Sequence, residues 1–130
     1  MSQETPFHDV VDELRSRGSR FAREAYAFVV AALNETVRAL PEERLADPQR
    51  RHLSGQELTT GVIALSRREF GAMGPTVFRE WGVERTEDIG AIVFELVAAG
   101  QLSARPEDGP EDFATGIDLK AELAAPSRDS

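Results

Sequence analysis

Arg51-His52-Leu53-Ser54-Gly55-Gln56-Glu57-Leu58 opens the stretch that decides the fold, which continues through Phe70-Gly71 and Trp81-Gly82 to Glu87-Asp88-Ile89-Gly90-Ala91-Ile92-Val93-Phe94. Ser54 and Glu57 stand three apart, the spacing of a capping box, in which the serine hydroxyl takes the Glu57 amide and the carboxylate reaches back to the cap amide. Leu53 and Leu58 occupy the two positions of a hydrophobic staple around it. The spacing predicts a helix over 54–71 that buries Leu58, Val62 and Leu65, with Gly61 marking a close helix crossing. Gly74-Pro75 starts a short helix to Gly82. Thr86 is expected to cap a helix over 87–99, where Ile89, Ile92, Val93, Leu96 and Val97 fall at i, i+3, i+4, i+7 and i+8 and Gly100 supplies the stop.

On the N-terminal side, Thr5 as cap and Pro6 at the first helical position open a helix over 6–17. A second helix, from about Phe21 to Leu40, carries a wide apolar face and ends at Pro41. Residues 41–53 are polar and form a loop or a short helical turn. On the C-terminal side, Gln101 to Ala104 and Phe113 to Ile117 are expected to pair as a small β-hairpin around a turn rich in proline and glycine. Asp118 caps a last short helix to Ala124. The fold expected is therefore mainly α with a small β-hairpin. It would hold a winged-helix-like part over about 54–117 and two added N-terminal helices, in one domain over 1–125 with a frayed tail over 126–130. The expected core gathers Phe28, Leu33, Leu58, Val62, Phe78, Trp81, Ile92, Val93 and Leu96.

These pieces, together with Ala25-Tyr26-Ala27-Phe28-Val29, Phe70-Gly71-Ala72-Met73 and Glu111-Asp112-Phe113, resemble the Minf-type family of uncharacterised small bacterial proteins. The resemblance spans roughly residues 20–118. It implies a small single-domain bacterial protein, and it brings no catalytic residue with it.

Composition narrows the chemistry. The chain of 130 residues has no cysteine, which excludes disulfides, thiolate metal sites and cysteine nucleophiles. Its longest apolar run, Ala25 to Leu33, is nine residues, less than half a membrane span. The N-terminus lacks a signal-peptide pattern, so a cytoplasmic protein with no membrane partner is expected. The net charge of −8 is uneven: residues 1–82 hold twelve acids against eleven arginines, and residues 83–130 hold eleven acids against four basic residues. The acidic C-terminal third would repel phosphate backbones and attract cationic partners. DNA binding, which a winged-helix-like order of elements invites, is disfavoured by the acidic 87–112 face, since phosphate contacts supply most non-specific affinity.

Candidate chemistry centres on Arg51 and His52, beside a helix start whose amides could face an anion. Glu57 competes for those amides, so His52 packing over the capping box is the plainer reading. Tyr26, on the central helix, is the third ligand-binding candidate, because a buried hydroxyl needs a partner. His8 and Asp12 are four apart and, with Asp9, His52 or Glu57, form only a weak metal set; no metal and no cofactor are expected. No serine sits on a nucleophile elbow, and the acid pairs Glu87-Asp88, Glu107-Asp108 and Glu111-Asp112 read as capping and solvated groups, so no catalytic residue is assigned. Phe70, Phe78, Trp81 and Phe94 read as core rather than as a ligand box. The function favoured is a non-enzymatic protein-interaction or regulatory module whose partner is another protein. The alternative is a small-anion-binding protein or enzyme using Arg51 and His52.

Overall fold

The computed structural model describes residues 6–126. Helices α1 (Phe7–Ser16), α2 (Arg23–Arg38), the single turn α3 (Glu42–Leu45) and α4 (Gly55–Phe70) come first. A 3₁₀ turn (Gly71–Met73), α5 (Gly74–Trp81), α6 (Thr86–Ala98), a second 3₁₀ turn (Pro110–Phe113) and α7 (Leu119–Ala124) follow. The position given to Thr5 lies outside the described residues; Pro6 is the N-cap of α1 rather than its first residue.

The architecture is all helical. No strand occurs among the described residues, so the expected β-hairpin, and with it the winged-helix-like part, is overturned. The cause is local hydrogen bonding by short acids. The Asp108 carboxylate accepts from the Arg105 amide at 3.0 Å, and Asp112 accepts from the Gly109 amide at 3.0 Å. These bonds wind the stretch between the two expected strands into tight local turns, and the second of them draws Phe113, the first residue of the expected second strand, into the 3₁₀ turn. Pro106 and Pro110 carry no amide to donate. Phe113 then turns inward, 4% exposed, against Gly90 of α6, where an added Cβ would stand 2.8 Å from its side chain.

α2 is the central element and touches α1, α4, α5 and α6. Its widest contact is with α4, at the crossing expected of Gly61: a Cβ there would collide with the Thr36 hydroxyl. Leu58, Val62, Phe78, Ile92 and Leu96 form the core with Phe21, Tyr26, Ile89, Phe113, Leu119 and Leu123. Phe28, Leu33, Trp81 and Val93 correct the expected core: they are half-buried and pack against it from outside. Phe28, Phe70, Phe78 and Trp81 form one aromatic group, with Phe28 and Phe70 stacked at 5.3 Å and Phe70 edge-on to Trp81 at 5.7 Å. α7 is short, yet its Leu119 and Leu123, one turn apart, are fully buried over α4 and α5.

The N-terminus of α6 differs from expectation. Arg85, not Thr86, is the N-cap residue. Asp88 supplies the acceptor: its Oδ2 takes the amides of Glu84 at 2.8 Å and Arg85 at 3.0 Å, while Oδ1 pairs with Arg20 from before α2. Thr86 is buried and donates instead to the Phe113 carbonyl at 2.6 Å. One turn of α6 thus anchors both the 20–22 segment and the 109–115 segment.

Candidate functional site

Arg51 and His52 do lie at a concave site. A cleft of about 370 Å³ opens between the C-terminal half of α2, the start of α4, the middle of α6 and the loop over 102–113. Leu33 and Val37 form one apolar wall, Leu53 and Leu58 a second, and Val93 and Phe94 a third. Arg38, Arg51 and His52 bring basic groups to it, and Asp108 and Asp112 bring acids. Phe94 therefore departs from the core reading given to the aromatics, because its half-buried ring lines the cleft. Leu33 and Val93 leave the core for the same reason.

The start of α4 is sealed by its own residues. Glu57 N–H donates to Ser54 Oγ at 3.0 Å, and Ser54 N–H donates to Glu57 Oε1 at 2.9 Å, so both halves of the capping box are present. Sequence reasoning missed Arg44, the residue that completes the arrangement from α3. Its guanidinium pairs with Glu57 Oε2 at 2.6 Å and donates to the carbonyl oxygens of Arg50 at 2.9 Å and His52 at 3.3 Å. Arg44 thereby fixes the turn that carries Arg51 and His52. The bond to Arg44 is the leading cause that holds the Glu57 carboxyl below its ordinary 4.5. The cap thus engages the Ser54 and Glu57 amides with its own side chains, and an external anion at this helix start would share it with the Glu57 carboxylate.

Two measurable consequences follow from the cap. Ser54→Ala should lower stability by about 1 kcal/mol, read by chemical denaturation at neutral pH. Glu57→Gln should cost less, because the amide side chain still reaches the Ser54 amide. A carboxyl whose folded pKa is depressed contributes stability above its unfolded pKa and loses it as pH falls through the folded value. The gap between Glu57→Gln and the parent should therefore close as pH drops below 4.5; a gap unchanged down to the acid transition would contradict the Arg44 pairing.

The cations of the cleft are differently placed. Arg38 and Arg51 are exposed and form no ion pair among the described residues, nor does the half-buried His52. Among the acids, burial raises the Asp108 carboxyl, but the Arg105 amide and guanidinium and the nearby His52 outweigh it and hold it below its ordinary 3.8. Asp112 keeps one oxygen on the Gly109 amide. Its backbone presses on the first residue of α4: a Cβ at Gly55 would collide with the Asp112 carbonyl. This close approach brings the 108–113 acids to the same mouth as Arg51.

Tyr26 is not brought to this site. It is fully buried in the core, where its hydroxyl donates to Glu95 Oε1 of α6 at 2.5 Å and meets the Ser19 hydroxyl. Burial, reinforced by the Glu95 hydrogen bond, pushes its pKa up to about 12, so it is a neutral structural donor. His8 contacts Asp9 on an exposed face at 3.2 Å, while Asp12 pairs with Arg23 at 2.6 Å. No group of three or more potential ligands gathers for a metal ion among the described residues. No described helix is long and apolar enough to cross a membrane. Neither a protein-family model, nor a curated protein, nor a solved structure matches this chain.

Proposed function

We propose that the chain is a non-enzymatic interaction module of a cytoplasmic bacterial protein of the Minf type, and that the cleft at Arg51 and His52 is its recognition surface. The observation that carries this reading is the lining: apolar walls from three helices, with Arg38 and Arg51 at the cleft and no partner for either among the described residues. Apolar concavities with a few polar groups are the usual form of a binding site. The groups that catalysis would recruit nearby are committed elsewhere: Ser54 and Glu57 close the cap, and Tyr26 is sealed in the core. Small-anion binding by Arg51 and His52 remains the second reading, favoured by their sharing one cleft. A DNA-binding regulator loses its structural premise with the hairpin, and its electrostatics were already unfavourable.

Blocking the cleft tests the reading. Ser103 is exposed and lines the cleft, so Ser103→Trp fills it without touching the core. Ala64, exposed on α4 away from the cleft, gives the control Ala64→Trp. In quantitative capture from native lysate, the parent and Ala64→Trp should retain the same partners and Ser103→Trp should lose them, with all three melting alike. Identical partner sets for the two tryptophan variants would overturn the proposal.

A further inference from the structure

We infer that the occupant of this cleft is the C-terminal end of a partner chain, with the terminal carboxylate at Arg38 and Arg51 and an apolar last side chain between Leu33, Val37 and Phe94. The inference rests on the reading of the cleft as an interaction surface and names what it recognises. Three observations converge on a dipolar ligand with an apolar body. First, Arg38 and Arg51 come from separate segments to one cleft and have no carboxylate partner among the described residues. Arginine presents a planar fork suited to a carboxylate. Second, the acids Asp108 and Asp112 line the same cleft, and, against the effect of burial, the Arg105 amide and guanidinium hold the Asp108 carboxyl below its ordinary value. A purely anionic ligand would meet repulsion there, while a chain end also offers amide N–H donors and a basic side chain upstream. Third, the volume of about 370 Å³ suits one or two residues rather than a folded surface. Capture of a C-terminal carboxylate is a recurring mode of peptide recognition.

The test uses the full chain and tetrapeptides Lys-Ala-Ala-X ending in Leu, Ile, Val or Phe, with the fluorophore on the N-terminal amine so that the lysine side chain keeps its charge, each as the free acid and as the C-terminal amide. Fluorescence polarisation should show at least one free acid binding about tenfold or more tighter than its amide, the size of one charge-assisted hydrogen bond. Arg38→Gln and Arg51→Gln, both at exposed positions, should shrink that ratio towards one while melting as the parent does. Asp112→Asn should weaken the peptides with upstream lysine and leave the acid-to-amide ratio intact. Equal binding of acids and amides, or no binding of any acid at millimolar peptide, would overturn the inference. Octanoate displacing the peptides at equal concentration would also overturn it, in favour of a free carboxylic acid. Loss of partners in Ser103→Trp without any acid preference would sink this inference alone. Unchanged partners in Ser103→Trp would sink the interaction reading beneath it.

Discussion

Leu96→Ala should unfold this protein more readily than any other single truncation proposed here, at a cost of about 2–5 kcal/mol. Leu96 is 0% exposed, and it sits in α6 between the central helix and the closing turns. Truncation removes buried methyl groups and leaves a cavity that packed helices close only in part. For a domain of this size the melting temperature should fall by roughly 7–18 degrees. A calorimetric melt within a degree of the parent would refute the core assignment.

Gly55→Ala should destabilise by about 1–3 kcal/mol, against the usual preference for alanine in helices. Propensity alone favours alanine over glycine by about 1 kcal/mol in a helix interior, and by less at the first residue. Sterics decide the sign, because the added methyl meets the carbonyl of Asp112, a backbone atom that no rotamer change removes. Relief requires the 109–113 segment to lift away from α4. Gly61→Ala is the instructive companion: its obstacle is the Thr36 hydroxyl, a side-chain atom. Denaturant titration should therefore rank Gly55→Ala below Gly61→Ala, and the reverse order would show that the 109–113 segment yields easily.

What was legible in the sequence was what is settled locally. Ser54 and Glu57 lie three apart, so their reciprocal bonds follow from helix geometry, and the apolar period of α6 needs only its own residues. Gly61 was legible too, because a glycine inside an apolar helix pattern has few other uses. The failures involve partners far along the chain or competition between local options. Thr86 looked like a cap, but its hydroxyl goes to the Phe113 carbonyl, 27 residues on. Asp88 meets Arg20 across 68 residues. Two short apolar runs suggest the hairpin, but Asp108 and Asp112 between them accept from the Arg105 and Gly109 amides and close local turns instead. Tyr26 was correctly given a need for a hydrogen-bond partner, yet nothing in the linear order says that Glu95 meets it. At the site, Arg51 and His52 were visible as neighbours of a helix start, whereas Arg38 was not. It enters the cleft only because α2 crosses α4 at Gly61. Arg44 lies in 41–53, read as a loop or a short helical turn; α3 is such a turn, but nothing in the linear order says that its Arg44 meets Glu57, 13 residues on.

The docking of Phe113 on Gly90 has a consequence for the timescale on which the cleft can change. Phe113 and Asp112 line the cleft on one side, and on the other they fasten the 109–115 segment to α6 through one ring and the Thr86 hydroxyl. Such a segment, held by side chains rather than by a backbone ladder, is free to detach at a lower free energy than the helices beneath it. Its amides should exchange with deuterium through local opening, while those of α4 and α6 exchange only on global unfolding. An occupant touching Asp112 and Phe113 would stabilise the closed form by mass action and slow exchange in 109–115 selectively. Gly90→Ala, whose methyl would press 2.8 Å from the Phe113 ring, should speed it. The cleft wall is thus also a reporter, readable peptide by peptide in a mass spectrometer before any partner is known.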